Sequence, residues 1–396
     1  MTLPDTPVRG FALRSAARAG LGAAGALTTL VAIGGPIGVA GVRVGGTPGP
    51  VRAMLGATAL ALVLLVLFVP QPLDRLELLA SGLFLLGGLS VVAMAANVLV
   101  VAILLLPLAA VLAARGGGRP FPERMRGPAV GVFLMGLGGV LVTAHDLYGR
   151  GRLGVLGVVL GLLAITGLVP FLRRIDAREP ASVSGLVWPA FVAPTLATVV
   201  LAELLPMLST AQGVVYAVLF VSFGLLNLWW GVLAAWRAPD DLGAWRHSFI
   251  ADWGMALTGM GVVLPDRIGV DTAYLVLVSI LVVRLPLYVL ARRAVTSGEP
   301  PATGALNLLV GFALSGVAPF AGFAARVYLV RATTELSWPL AWLVVGALFL
   351  WLLHGFRLGR SLGRPTGRAA AGVAVVLAIS LPLGIVPWLV LRAGGL

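Results

Sequence analysis

The sequence predicts an all-α fold, a polytopic transmembrane bundle of about 13 helices, and three observations carry that expectation. Of 396 residues, 59% are hydrophobic and only 11% charged, whereas soluble domains run near 25% charged. Mean hydropathy is +1.04. The apolar residues arrive in runs of about 20, the length needed to cross a hydrocarbon core of roughly 30 Å. Thirteen such helices account for roughly 260 residues, two-thirds of the chain. A secreted or cytosolic globule is excluded.

Arginines bound the runs in order. Run 20–43 lies between Arg18 and Arg43, 53–70 between Arg52 and Arg75, and 76–95 with 97–114 between Arg75 and Arg115. Run 128–145 follows Arg126, 153–171 lies between Arg152 and Arg173, and 184–206 with 211–236 between Arg178 and Arg237. Then come 248–264 after Arg246, 271–290 between Arg267 and Arg292, and 304–330 between Arg293 and Arg331. Run 338–355 ends before Arg357, and 369–391 lies between Arg368 and Arg392. The arm 1–19, with Arg9, Arg14 and Arg18, is too polar, and the first run too long, for a cleaved signal peptide. It reads as a cytoplasmic arm preceding one polytopic membrane domain, 20–396.

All 28 basic residues are arginine and there is no cysteine, so disulfides, thiolate chemistry and zinc or iron–sulfur ligation through sulfur are excluded. The histidines, at 145, 247 and 354, form no recognisable metal cluster. A net charge of +13 could suggest nucleic acid, but the arginines punctuate apolar runs instead of clustering, so they read as juxtamembrane charges and no nucleic-acid partner is expected. With the N-terminus inside, 19 arginines fall on the cytoplasmic side and 7 opposite, which orients the bundle N-in and C-out in a cell (inner) membrane. Only Arg284 and Arg326 fall inside apolar runs. No loop is long enough for a nucleotide-binding domain, no phosphate-binding glycine motif is present, and the 52 glycines suit close helix packing.

Four stretches carry a resemblance. They are SGVAPFAGFAARVYL (Ser315 to Leu329), GLVPFLRRIDAREPASVSGLVWPAF (Gly167 to Phe191), DDLGAWRHSFIADWGMALTGMG (Asp240 to Gly261) and AYLVLVSILVVRLPLYVLA (Ala273 to Ala291). In order and spacing the chain resembles, over about 75–390, the antiporter-like subunits of respiratory complex I and Mrp antiporters, most of all NADH-quinone oxidoreductase subunit N. In the second stretch Asp176, Pro180, Val183, Ser184 and Leu186 match; in the third, Ser248, Ile250 and Gly254. In the first, Pro319 removes a backbone donor, and Gly316 and Gly322 loosen the chain, so the helix near 315–328 should break at membrane depth. The resemblance implies a subunit that moves protons along a central hydrated polar axis. Its implied partners are the lipid bilayer, other membrane subunits of a multi-subunit complex, and protons. It implies no cofactor in this chain.

Position by position, the resemblance removes as much as it supplies. The family's buried glutamate aligns with Ala102, its lysines with Ile165 and Pro194, and its histidines with Leu172 and Trp188. Two further lysines become Arg284 and Arg326. Arginine, with a pKa above 12, can steer protons, hold water or anchor a carboxylate, but releases no proton itself. Asp252, read as one turn into its helix, is either partner or relay to these arginines or an interfacial residue. Glu203, near a helix end, is read as interfacial or as part of the pathway. His145, His247 and His354 read as capping or snorkelling groups at helix ends, Asn227 as an interhelical hydrogen-bonder, and Trp229 with Trp230 as packing or interface residues. No catalytic triad, carboxylate pair or quinone site emerges. Three functions stay open: a proton-translocating subunit, a structural subunit without its own pathway, and an unrelated solute carrier.

Overall fold

The computed structural model describes residues 22–33, 37–39, 42–44, 47–68, 72–95, 97–115, 120–144, 150–172, 187–263, 267–393 and 395. The N-terminal arm, His145 and the matched positions Asp176 to Leu186 lie outside them.

Each apolar run has a helical counterpart. The helices are α1 (Gly22–Ile33), α2 (Gly49–Phe68), α3 (Pro72–Ala93), α4 (Val98–Arg115), α5 (Phe121–Thr143), α6 (Gly151–Thr166), α7 (Val187–Leu204), α8 (Thr210–Arg237) and α9 (Asp241–Gly261). They continue as α10 (Ile268–Ser279), α11 (Leu285–Thr296), α12 (Ala305–Ser315), α13 (Ala321–Leu336), α14 (Trp338–Arg360), α15 (Gly367–Ile385) and α16 (Pro387–Ala393). A π turn, Ile280–Arg284, joins α10 to α11. Seven spans are long and apolar enough to cross a bilayer on their own: α2, α5, α7, α8, α10–α11, α14 and α15. Large apolar side chains point outward, among them Phe349 (71% exposed) and Phe133 (68%). A soluble protein would not tolerate such a surface, and in a bilayer it meets acyl chains. The protein is a multi-pass, all-α membrane bundle.

The first run departs from expectation. No continuous helix covers 20–43: the short α1 is followed by an antiparallel hairpin of β1 (Ile37–Val39) and β2 (Val42–Val44), with Gly38 opposite Arg43. The sequence between helix and hairpin is Gly34–Gly35–Pro36, a combination that does not continue a helix.

Small residues set how closely the helices approach. α8 lies against α9 with almost no side chain between them. A Cβ on Gly254 would fall 2.2 Å from the backbone nitrogen of Leu228, and one on Gly231 2.4 Å from that of Ala251. α5 and α6 meet in the same way through Gly131, Gly138, Gly154 and Gly161. The span α10–α11 is the most enclosed, 89% buried, so a charge on it is shielded from lipid by neighbouring helices.

At one end of the bundle three connections meet. Arg357, near the end of α14, donates to the α8 C-terminal carbonyls of Ala235 (3.3 Å) and Ala238 (2.9 Å) and pairs with Asp241 of α9 at 3.2 Å. The Ala302 amide, before α12, donates to the Arg360 carbonyl at 3.0 Å. The α8–α9, α11–α12 and α14–α15 connections therefore share one arginine-rich face.

Candidate functional site

The expected break is present. α12 ends at Ser315, Gly316 takes a left-handed conformation (φ +72°), the Ala318–Pro319 peptide is cis, and α13 begins at Ala321. The last turn of α12 is closed by the Val317 amide donating to Phe312 O at 3.1 Å and that of Gly316 to Ala313 O at 3.3 Å, a common way to finish a helix on an αL glycine. The freed carbonyl of Leu314 accepts twice, from Trp351 Nε1 at 2.9 Å and from Arg326 Nη2 at 3.3 Å. Arg326 lies directly over Gly316: a Cβ there would sit 1.0 Å from Nη1. Glycine is thus required at 316 both by its φ and by the guanidinium. Gly322 stands close by, a Cβ on it falling 3.1 Å from the Gly316 Cα.

Arg284 is positioned by the π turn. Pro286 cannot donate to the carbonyl four residues back, and the Leu285 amide donates instead to Ile280 O, five back. Arg284 is the last residue of that widened turn. Its Nε donates to Asp252 Oδ2, and its guanidinium carbon lies 5.2 Å from the centroid of the Trp351 ring. Arg284 and Asp252 are each 4% exposed, Arg326 8%. Asp252 is not one turn into its helix: it is in the middle of α9 and is the only carboxylate among the described residues to be buried as a whole residue. A connected line results: Asp252, Arg284, the Trp351 indole, the Leu314 carbonyl, Arg326.

Glu203 does not join that line through the pair, since the carboxylate that Arg284 holds is Asp252. It lies half-buried at the penultimate position of α7. Two groups read as helix-end residues are inside instead. His354 is 2% exposed, held between Trp236 (centroids 6.1 Å apart, stacked) and Trp351 (5.2 Å, edge-on). Arg292 is 3% exposed while its neighbour Arg293 is exposed, because adjacent residues on a helix face different sides. His247 is half-buried. Trp229 is half-buried and Trp230 46% exposed, which fits packing and lipid contact.

A second break repeats the first. Leu–Ala–Ile–Thr–Gly–Leu–Val–Pro–Phe ending at Phe171 parallels Phe–Ala–Leu–Ser–Gly–Val–Ala–Pro–Phe ending at Phe320. Gly167 is also left-handed (φ 76°) and Val169–Pro170 also cis. Here an amide does the capping. Asn227 of α8 accepts from the Val169 amide at 2.9 Å and donates to Val169 O at 3.3 Å. The internal repeat of the Gly-x-x-Pro-Phe pattern is the sequence signal for this break.

The two breaks have opposite surroundings. Around the Gly167 break, Leu105, Leu108, Pro128, Val132, Ile165 and Val192 line an apolar cavity of about 20 Å³, which offers a water few hydrogen-bond partners. Among the described residues every buried charge lies from Asp252 onward. Ala102 and Pro194 are buried too.

No protein-family model matches the chain, and no curated protein matches it by sequence. Solved structures do. A chain of respiratory complex I from Thermus thermophilus with bound NADH aligns over 96% of this chain and 93% of its own, with TM-score 0.74 and 15% identity. A chain of the Mrp complex from Dietzia sp. aligns over 98% of this chain at TM-score 0.78 and 13% identity, this chain spanning 49% of it. A chain of the membrane-bound sulfane sulfur reductase, an archaeal respiratory membrane complex, aligns over 92% of this chain and 70% of its own, at TM-score 0.71 and 17% identity. The bundle fold of these respiratory and Mrp membrane chains is the fold of this chain.

Proposed function

We propose that this chain is a membrane subunit of a multi-subunit complex of the complex I or Mrp kind, and that it moves protons through its C-terminal half only. The buried Arg284–Asp252 pair beside the α12–α13 break carries this reading. Asp252 is the group that can take a proton. As a carboxylate it holds Arg284; once protonated it loses most of its attraction for the guanidinium. Arginine keeps its charge, so Arg284 then turns toward other acceptors. Proton arrival is thereby converted into movement of a fixed positive charge between Asp252 and the Trp351–Leu314 side, within electrostatic range of Arg326. Asp252 is the carrier, Arg284 the moving counter-charge, and Arg326 the fixed cation at the break.

The arginine-rich face formed by the α8–α9, α11–α12 and α14–α15 connections is assigned to the cytoplasm by its excess of positive charge. On this assignment the N-terminus lies inside and the C-terminus outside. Glu203, at a helix end, is assigned to the interface. The N-terminal half, with its apolar cavity and no buried charge among the described residues, is a sealed support.

That sealed half favours one alternative, a subunit kept only to fill its place while pumping occurs elsewhere. The cavity at the Gly167 break, about 20 Å³ and lined by apolar side chains, offers a polar solute no ligands. The deciding experiment is Asp252→Asn in the assembled complex, with proton uptake measured in sealed native membrane vesicles. Flux falling at least tenfold with assembly intact supports transport. Unchanged flux at wild-type assembly leaves only the structural role.

A further inference from the structure

We infer that His354 of α14 is a proton-carrying group linking the arginine-rich face to the Asp252–Arg284 pair, an assignment that rests on the proton-moving reading above. His354 is 2% exposed and its Nε2 has no hydrogen-bond partner. Burying an unpaired ring nitrogen costs about 1–3 kcal/mol, and such a group calls for a water or a functional reason. It is not alone: Nη1 and Nη2 of Arg284, Nε and Nη1 of Arg326, and Nδ1 of His247 are likewise buried without partners. Such atoms call for water or another polar partner to complete their bonding.

The placement of His354 is what makes it a carrier. Trp351, His354 and Arg357 recur every third residue on α14, so they form one stripe with steps of roughly 4.5 Å along the axis. At the inner end Trp351 carries Arg284 on its ring face, 5.2 Å away. At the outer end Arg357 pairs with Asp241, a pair about a third exposed. The charged or titratable groups acting on His354 are Arg357 of its own helix, Arg284 of the π turn and His247 of α9, with Asp241 and Asp252 behind the two arginines. The transfer needs no lasting imidazolium, because a neutral imidazole accepts a proton on one nitrogen while giving up the proton on the other. A hydronium at the face supplies the proton, water bridges each side, and the Asp252 carboxylate becomes the carboxylic acid. No bond other than O–H and N–H is made or broken.

The test is proton flux and assembly in native membrane vesicles for His354→Gln beside Asp252→Asn. The expected result is at least a tenfold loss of flux in both, with the complex assembled. A His354→Gln complex within twofold of wild type, while Asp252→Asn has lost tenfold, overturns the assignment and leaves the wider reading standing. An assembled Asp252→Asn complex within twofold of wild type overturns both. Should His354→Gln fail to assemble, the wild-type chain decides by deuterium exchange at its three imidazoles, labelled with ¹⁵N. Exchange of all three within minutes is expected; one imidazole N–H protected for days is a dry, packed histidine and refutes the role.

Discussion

Removing one member of the Arg284–Asp252 pair should cost far more stability than removing both. The side chains are 5% and 6% exposed, so the 0.2–1 kcal/mol typical of exposed pairs does not apply. Losing one partner of a buried pair costs about 3–5 kcal/mol, because the other charge is left unpaired. Asp252→Leu strands a guanidinium that cannot neutralise. Its contact with Trp351 is already made in the wild type and so offsets nothing, which leaves a loss of about 3 kcal/mol or more. Arg284→Met strands a carboxylate that can take up a proton, so its loss should be smaller, about 2–3 kcal/mol. The double variant D252L/R284M replaces the pair with apolar groups and should fall within about 1 kcal/mol of wild type. The coupling energy is then about 4 kcal/mol. The assay is reversible unfolding in mixed micelles, followed by tryptophan fluorescence, for all four proteins. Single losses below 1 kcal/mol that simply add in the double variant would show that the two groups do not share a charge balance, and the argument for a closed ion pair would fail. Proton flux should be lost in Asp252→Leu and the double variant, which have no carboxylate at 252, and in Arg284→Met, which has no moving counter-charge.

Other expectations follow from the same geometry. Gly316→Ala forces a left-handed alanine against Arg326 and should cost at least 2 kcal/mol by the same unfolding assay; Arg326→Ala in that background should relieve only the clash, not the backbone cost. Gly254→Val drives a branched side chain into the α8 backbone, 2.2 Å from Leu228 N at the Cβ alone, and should lower the yield of folded chain in detergent through an overpacking loss of about 1–3 kcal/mol or more. Asn227→Leu leaves both backbone groups of Val169 unpaired at the Gly167 break and should destabilise by about 1–3 kcal/mol. Raising salt from about 0.05 M to 1 M should weaken the exposed Arg331–Glu335 pair (2.9 Å) and leave the flux coupled to Asp252–Arg284 within twofold, since buried charges are poorly screened; a steep salt dependence would place the pair in open water.

Much of this protein is readable from its sequence. Run length and arginine punctuation determine the polytopic helical bundle, and Gly316 with Pro319 determines where the main span breaks, because glycine and proline act on the backbone whatever surrounds them. Arg284 and Arg326 stand out since a charge in an apolar run has to face protein or water. What the sequence leaves open is which side of each helix faces inward. In a bilayer the lipid-facing and protein-facing sides are both apolar, so hydrophobic periodicity, which orients helices in soluble proteins, carries little information here. Only packing put Asp252 against Arg284, buried His354 and Arg292 while leaving Arg293 outside, and set an apolar cavity at one break and a line of charges at the other. Burial inside a membrane protein depends on which small residues let backbones touch, and that is a property of helix pairs, not of any one run.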